Sequence, residues 1–146
     1  LSATLIKNNL DDILNKKIAP TEQVHENAVY ARKIKKTDAA ITWSMPAVKL
    51  LRQIKAFNPW PVAWMQVEDQ NVKVWSAHVV KAEKAAAPGT VLSANKEGIT
   101  IATGNEALCI TSLQIPGKKA LPAADVINAR QSWFEIGRNL SQEESL

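Results

Sequence analysis

One cysteine in 146 residues excludes an internal disulfide, and two histidines with no CxxC pair and no acidic cluster exclude the usual zinc spacings. Cys109 lies in an apolar run, LCITSLQI, and reads as a buried thiol acting as a small hydrophobe. Such sparing use of cysteine fits a reducing, cytosol-like compartment. No apolar run approaches the roughly 18 residues of a membrane helix. The first residues lack the basic head and small-residue cleavage site of a signal peptide. Glycine is scarce too: the five glycines read as turn residues, and none forms a GxGxxG or P-loop pattern. Ser44 and Ser76 have no partner motif, His25 falls in a linker-like stretch, and His78 falls in a strand-like run. No catalytic constellation is assembled from these residues, so no catalytic and no metal-binding residue is assigned. What the chain does contain points to binding.

It contains a basic centre. The net charge is +4, unevenly spread. Residues 1–29 carry three lysines against Asp11, Asp12, Glu22 and Glu26, and the last eight residues add Glu143 and Glu144. Between them, residues 30–138 hold 15 basic and 8 acidic side chains. A basic middle between near-neutral ends reads as a surface facing an anionic partner, of which nucleic acid is the commonest. The length suits one ordinary domain, with or without an arm, and an apolar share of 46% is enough for a core.

Along the chain, Ala3, Ile6, Leu10, Ile13 and Leu14 mark one stripe of a helix over residues 1–18. A lone short helix is marginal in water, and this stripe needs a partner. Because the chain opens on Leu1 inside the periodic pattern, it reads as a fragment. Residues 21–43 read as an extended basic linker. Residues 45–57 predict an amphipathic helix with Ser44 as N-cap, Pro46 in the first turn, and Ala47, Leu50, Leu51, Ile54 and Phe57 buried. Pro59 and Pro61 then end it. From Val62 the period becomes two. VAWMQV and NVKVWSAHVV flank a hairpin turn at 68–71, VLSA and ITIATG flank a turn at 95–98, and ALCITSLQI follows. In that last run Leu108 and Ile110 are out of phase with Leu113 and Ile115. A bulge or bend near Thr111 and Ser112 is therefore expected. Five or so short strands with glycine turns suggest a small barrel. A helix over about 122–133 closes it, with Val126, Ile127 and Phe134 inward. Trp60, Trp64 and Trp75 are expected to pack in the core.

The series YARKIKKTDAAITW, RQIKAFNPWPVAW, VKVW, AAPGTV, GKKAL and NARQSWF, in this order, resembles the C-terminal part of the bacterial methionyl-tRNA formyltransferases. The resemblance runs from about Leu1 to Leu140. It implies a mainly β chain with helices: an OB-like small β-barrel preceded by a helix and linker. In these terms 1–18 is the last helix of a catalytic domain, 19–40 a basic linker, 41–140 the OB-like C-terminal domain and 141–146 a tail. The family's catalytic half contains an Asn, a His in an HxSLLP motif and an Asp; this sequence has no HxSLLP. The resemblance thus implies a full-length cytoplasmic enzyme of translation initiation. That enzyme transfers a formyl group from its co-substrate 10-formyltetrahydrofolate to the amine of methionyl-initiator tRNA. The fragment itself would have no cofactor and no activity alone. The implied partners are initiator methionyl-tRNA and the enzyme's own N-terminal domain, packed on residues 1–18, with no membrane. Two departures stand out. Thr42 precedes Trp43 where the family often has Asp, and Pro122 stands where the last helix often begins with Ser.

Within this frame the tRNA-binding candidates are Arg130, Lys118, Lys119, Lys33, Lys36 and Arg52. Arg130 follows Val126 and Ile127 by four and three residues, at the edge of an apolar stripe, where its stem can be buried and its guanidinium fixed. Lys118 and Lys119 sit on a Pro-Gly turn. Lys33 and Lys36 belong to the linker cluster, and Arg52 to the exposed side of the helix. Lys49, Lys55 and Arg138 stand behind these. Two other readings compete. One is the C-terminal module of a sugar-nucleotide formyltransferase, whose PWPGA-like corner is similar but which matches GKKAL and NARQSW less well. The other is a stand-alone OB-like RNA-binding module, which the stripe at Ile6, Leu10 and Ile13 disfavours.

Overall fold

The structure is a computed structural model, and it describes residues 1–82 and 85–141. Backbone contacts divide the chain into two units, Leu1–Lys33 and Ile34–Leu146. In the first, helix α1 spans Ser2–Leu14 and buries none of its residues. Leu5, Ile6, Leu10, Ile13 and Leu14 are all exposed. The helix is shorter than the 1–18 read from the sequence. Asn15 turns its side-chain amide back onto the Asp11 carbonyl at 2.7 Å, and Lys16 takes a left-handed φ of 57°, a common helix ending. An extended stretch with one 3-10 turn, His25–Asn27, follows.

The second unit is a mainly β domain with helices. Its strands are β1 (Trp64–Val67), β2 (Gln70–Val80), β3 (Val91–Asn95), β4 (Gly98–Ala102), β5 (Ala107–Gln114) and the two-residue β6 (Leu121–Pro122). All ladders are antiparallel, in the order β1-β2-β5-β4-β3, with β6 on β5. This curled half-barrel is the OB-like architecture expected. The alternation of side chains sets which face is inside. Met65 and Val67, Val72 and Val74, Ile99 and Ile101, and Leu108, Ile110 and Leu113 all point into one core. The phase conflict in β5 is resolved as anticipated. The β2–β5 register shifts between Val74 and Ala77, so that Trp75 and Ser76 face outward together, opposite Thr111 and Ser112, and Leu113 returns to the interior.

Helix α2 (Ala47–Ala56) lays Ala47, Leu50 and Ile54 into this core. Its start corrects the sequence reading. The N-cap is Pro46, not Ser44, and no side chain caps it. A distant backbone takes that role: the Ala47 N–H donates to the Asn105 carbonyl, and the Gly104 N–H donates to the Trp43 and Met45 carbonyls. At Gly104 a Cβ would collide with the Ser44 carbonyl oxygen, so only glycine allows this approach. The helix stops at the Phe57–Pro61 corner. The Asn58–Pro59 and Trp60–Pro61 bonds are cis, and the Val62 N–H returns to the Phe57 carbonyl at 3.0 Å.

The last helix also differs. Helix α3 covers only Ala123–Ala129, and Arg130, at φ −144° and ψ 51°, breaks it before a 3-10 turn at Gln131–Phe134. The turn drops Trp133 and Phe134 into the core edge-to-face, with centroids 6.4 Å apart. No helix among the described residues is long and apolar enough to cross a membrane.

Candidate nucleic-acid interface

Because Met65 and Val74 face inward, their neighbours on β1 and β2 face outward. Trp64 on β1 pairs with Lys73 on β2, and Lys73 pairs in turn with Gln114 on β5. These three side chains form a row across the outer face of the sheet. Hydrogen bonds extend the row at both ends. At one end the Trp64 Nε1–H donates to the Lys36 carbonyl at 3.1 Å. At the other, Gln114 Nε2 donates to the Lys118 carbonyl at 2.8 Å. Gln114 Oε1 accepts from the Trp75 Nε1–H at 2.9 Å, and Asn58 of the proline corner donates to the Trp75 carbonyl at 3.4 Å. The backbones of Lys36 and Lys118 are thereby fastened to the two ends of the row that holds Lys73, with two half-buried indoles between them. The proline corner ends α2 beside Trp75, on the side where the Lys118 turn is fastened.

Gln53 holds the Lys36 segment from the other side. Its Nε2 donates to the carbonyls of Asp38 and Ala40 at 3.1 and 3.0 Å. Ala40 and Ile41 also run along the outer edge of β1, where the Ile41 N–H donates to the Trp64 carbonyl at 2.8 Å. A 3-10 turn, Lys36–Ala39, leads into this contact. Lys36 is therefore built into the folded unit.

The other candidates fall elsewhere. Lys119 is exposed next to Lys118 on the same turn, and Arg52 is exposed on α2. Lys33 belongs to the first unit. Arg130 is exposed where α3 ends, not on a continuing helix, and it packs its guanidinium over the Trp133 ring, 5.3 Å from the centroid. No described hydrogen bond joins it to the Trp64–Lys73–Gln114 row. Arg138 pairs with Glu68 at 2.7 Å and donates to the Ser132 carbonyl at 3.0 Å, so its charge is already engaged. The tryptophans also sort differently from expectation. Trp43 and Trp133 are in the core, Trp64 and Trp75 lie on the outer face, and Trp60 is 57% exposed. Period-two alternation puts 64 and 75 outside, and two flanking prolines hold residue 60 on the corner. Lys73 is not among the candidates the sequence singles out; its place between the inward Val72 and Val74 is the signal for it.

Cys109 is buried as expected, with its thiol 3.8 Å from the Glu97 carbonyl. Among the described residues no three His, Cys, Asp or Glu side chains come together as a metal site.

Comparison with known proteins fits this architecture. Residues 33–131 match the family model "Formyl transferase, C-terminal domain". Among solved structures, a multiply substituted HypX variant from Aquifex aeolicus superposes with a TM-score of 0.65 at 22% identity, over 90% of this chain and 23% of that one. HypX from the same organism in complex with tetrahydrofolic acid gives a TM-score of 0.62 at 23% identity, over 84% of this chain and 22% of that one. At these identities the likeness is one of fold, and the chain spans less than a quarter of the HypX chains it matches. The matched residues make up most of the chain and hold the half-barrel, the proline corner and the lysine-bearing outer face: this chain belongs to the formyl transferase C-terminal domain family.

Proposed function

We propose that this chain is the tRNA-holding C-terminal portion of a methionyl-tRNA formyltransferase, an enzyme of translation initiation in the cytoplasm. The observation that carries the reading is the outer-face row Trp64–Lys73–Gln114, flanked by Lys36 and Lys118. Ammonium groups set on a sheet face neutralise phosphates and release counterions, which gives affinity without reading sequence. Indoles between them offer flat surfaces to unpaired bases. Lys119 extends the face at the turn. Arg130, steadied on Trp133, supplies a guanidinium at a fixed place for a further phosphate, and Arg52 and Lys33 add charge on α2 and in the first unit. The choice of a tRNA substrate over a sugar nucleotide is supported by GKKAL and NARQSWF.

In this reading the formyl donor, 10-formyltetrahydrofolate, is handled by a catalytic domain outside this chain, against which the Ile6, Leu10 and Ile13 stripe of α1 packs. No residue here is assigned to the transfer itself. The test is retention of initiator methionyl-tRNA on a filter by the full 146-residue chain, with a nucleotide sugar as competitor. The expected result is tRNA binding that the nucleotide sugar leaves unchanged, with no formyl transfer by the chain alone. A chain that leaves tRNA in the filtrate but binds the nucleotide sugar would instead be the module of a sugar-nucleotide formyltransferase.

A further inference from the structure

The outer face carries a second feature, beyond the bulge in β2. There His78, Cys109, Thr100 and Ser93 stand in register across β2, β5, β4 and β3. They alternate with the inward residues Ala77, Ile110 and Ile99, so all four belong to the outer surface. A cleft of about 370 Å³ opens over this row. Its size is that of a small-ligand site. Cys109 forms part of its floor and is 4% exposed. The His78 imidazole and the hydroxyls of Thr100 and Ser93 make no hydrogen bond among the described residues. Val80 and Leu92 add aliphatic surface from the two flanking strands, Lys81 adds a cation, and Glu97 adds a carboxylate.

This combination narrows the ligand. A purely apolar molecule would cover three unpartnered polar groups, at a cost for each. A bare anion would meet the Glu97 carboxylate. Groups that both donate and accept suit the edge of a nucleobase, aliphatic walls suit its faces, a lysine suits a phosphate, and a carboxylate accepts from a ribose hydroxyl. We propose that this cleft takes one unpaired ribonucleotide, with its base edge on His78, Thr100 and Ser93, its phosphate at Lys81 and its 2′-hydroxyl at Glu97. The inference rests on the RNA-binding reading above and extends it to a second position on the same face. His78 is five residues along β2 from Lys73, roughly 16 Å at the rise of a strand. A single strand of RNA reaches from the lysine row to the cleft.

Cys109 is the one thiol of the chain and reports on occupancy. The full chain is labelled with a small methylthiolating reagent and followed by intact mass. Labelling is run alone, with initiator tRNA, with a short single-stranded oligoribonucleotide and with the matching oligodeoxyribonucleotide. The expected result is at least fivefold slower labelling with either RNA and less protection by DNA. The Ser93→Ala, Thr100→Val double variant should bind the oligoribonucleotide about tenfold more weakly, with unchanged far-UV circular dichroism. Filter retention of tRNA with no change in Cys109 labelling overturns the cleft and leaves the RNA-binding reading standing. Protection by the oligoribonucleotide without tRNA retention supports the cleft and overturns the tRNA reading. Equal protection by DNA removes the ribose assignment, and no binding of either RNA overturns both.

Discussion

Gln53 acts through a single amide. Both of its near neighbours are carbonyl oxygens, so its nitrogen must face them, and its own oxygen is left buried with no hydrogen-bond partner among the described residues. Gln53→Leu removes both bonds at once. The expected loss is about 1–3 kcal/mol, read from urea unfolding, together with faster amide exchange at Lys36–Ala40, the segment the glutamine holds. Leu50 is fully buried in the same core, and Leu50→Ala should cost about 2–5 kcal/mol in the same assay. The Arg138–Glu68 pair is different. At 33% and 48% side-chain exposure it is well screened, and Glu68→Gln should change stability by less than about 1 kcal/mol.

Among the elements, the β4–β5 turn carries the most structural demand, because it starts a helix from a distance. Gly104→Ala places a methyl group against the Ser44 carbonyl, so the turn or the helix entry must move. The expected destabilisation is about 1–3 kcal/mol, measured by thermal unfolding; Gly117 has open space around it, so Gly117→Ala meets no clash and costs instead the backbone strain of a left-handed φ of 74°, about 1–2 kcal/mol. The contrast also explains what could be read from the chain. Period-two alternation and the phase break at Thr111 and Ser112 are local patterns, so the strands and the bulge were legible. The start of α2 depends on Gly104 and Asn105, some 58 residues away, and local capping rules pointed to Ser44 instead. The break at Arg130 was hidden because Val126, Ile127 and Phe134 all keep inward spacing across it. Trp60 was misplaced because hydrophobicity alone assigns an indole to the core, whereas the two prolines hold it on a corner. Lys118, Lys119 and Arg52 were legible as exposed basic residues from turn and helix patterns. That the backbones of Lys36 and Lys118 fasten to the two ends of one row was not, since it depends on the cross-strand register between Trp64, Lys73 and Gln114.

At the scale of the whole domain, the proposed function treats part of the basic middle of the sequence as an array, because the backbones of Lys36 and Lys118 are fastened to the row that holds Lys73. A solvated basic surface gains little from any one lysine, but on the proposed reading lysines whose backbones are fixed by Trp64 and Gln114 would meet a regularly spaced polyanion together. Salt dependence reads this directly, because the slope of log affinity against log salt counts the phosphates neutralised. The deciding measurement is a filter-binding titration of initiator tRNA across several salt concentrations. It compares the chain with its Lys36→Ala, Lys73→Ala, Lys118→Ala variant. The account predicts a slope of about −5 to −6 for the unaltered chain, smaller in magnitude by two to three in the variant, with weaker binding at every salt concentration. Equal affinity and equal slope for the two proteins would contradict it.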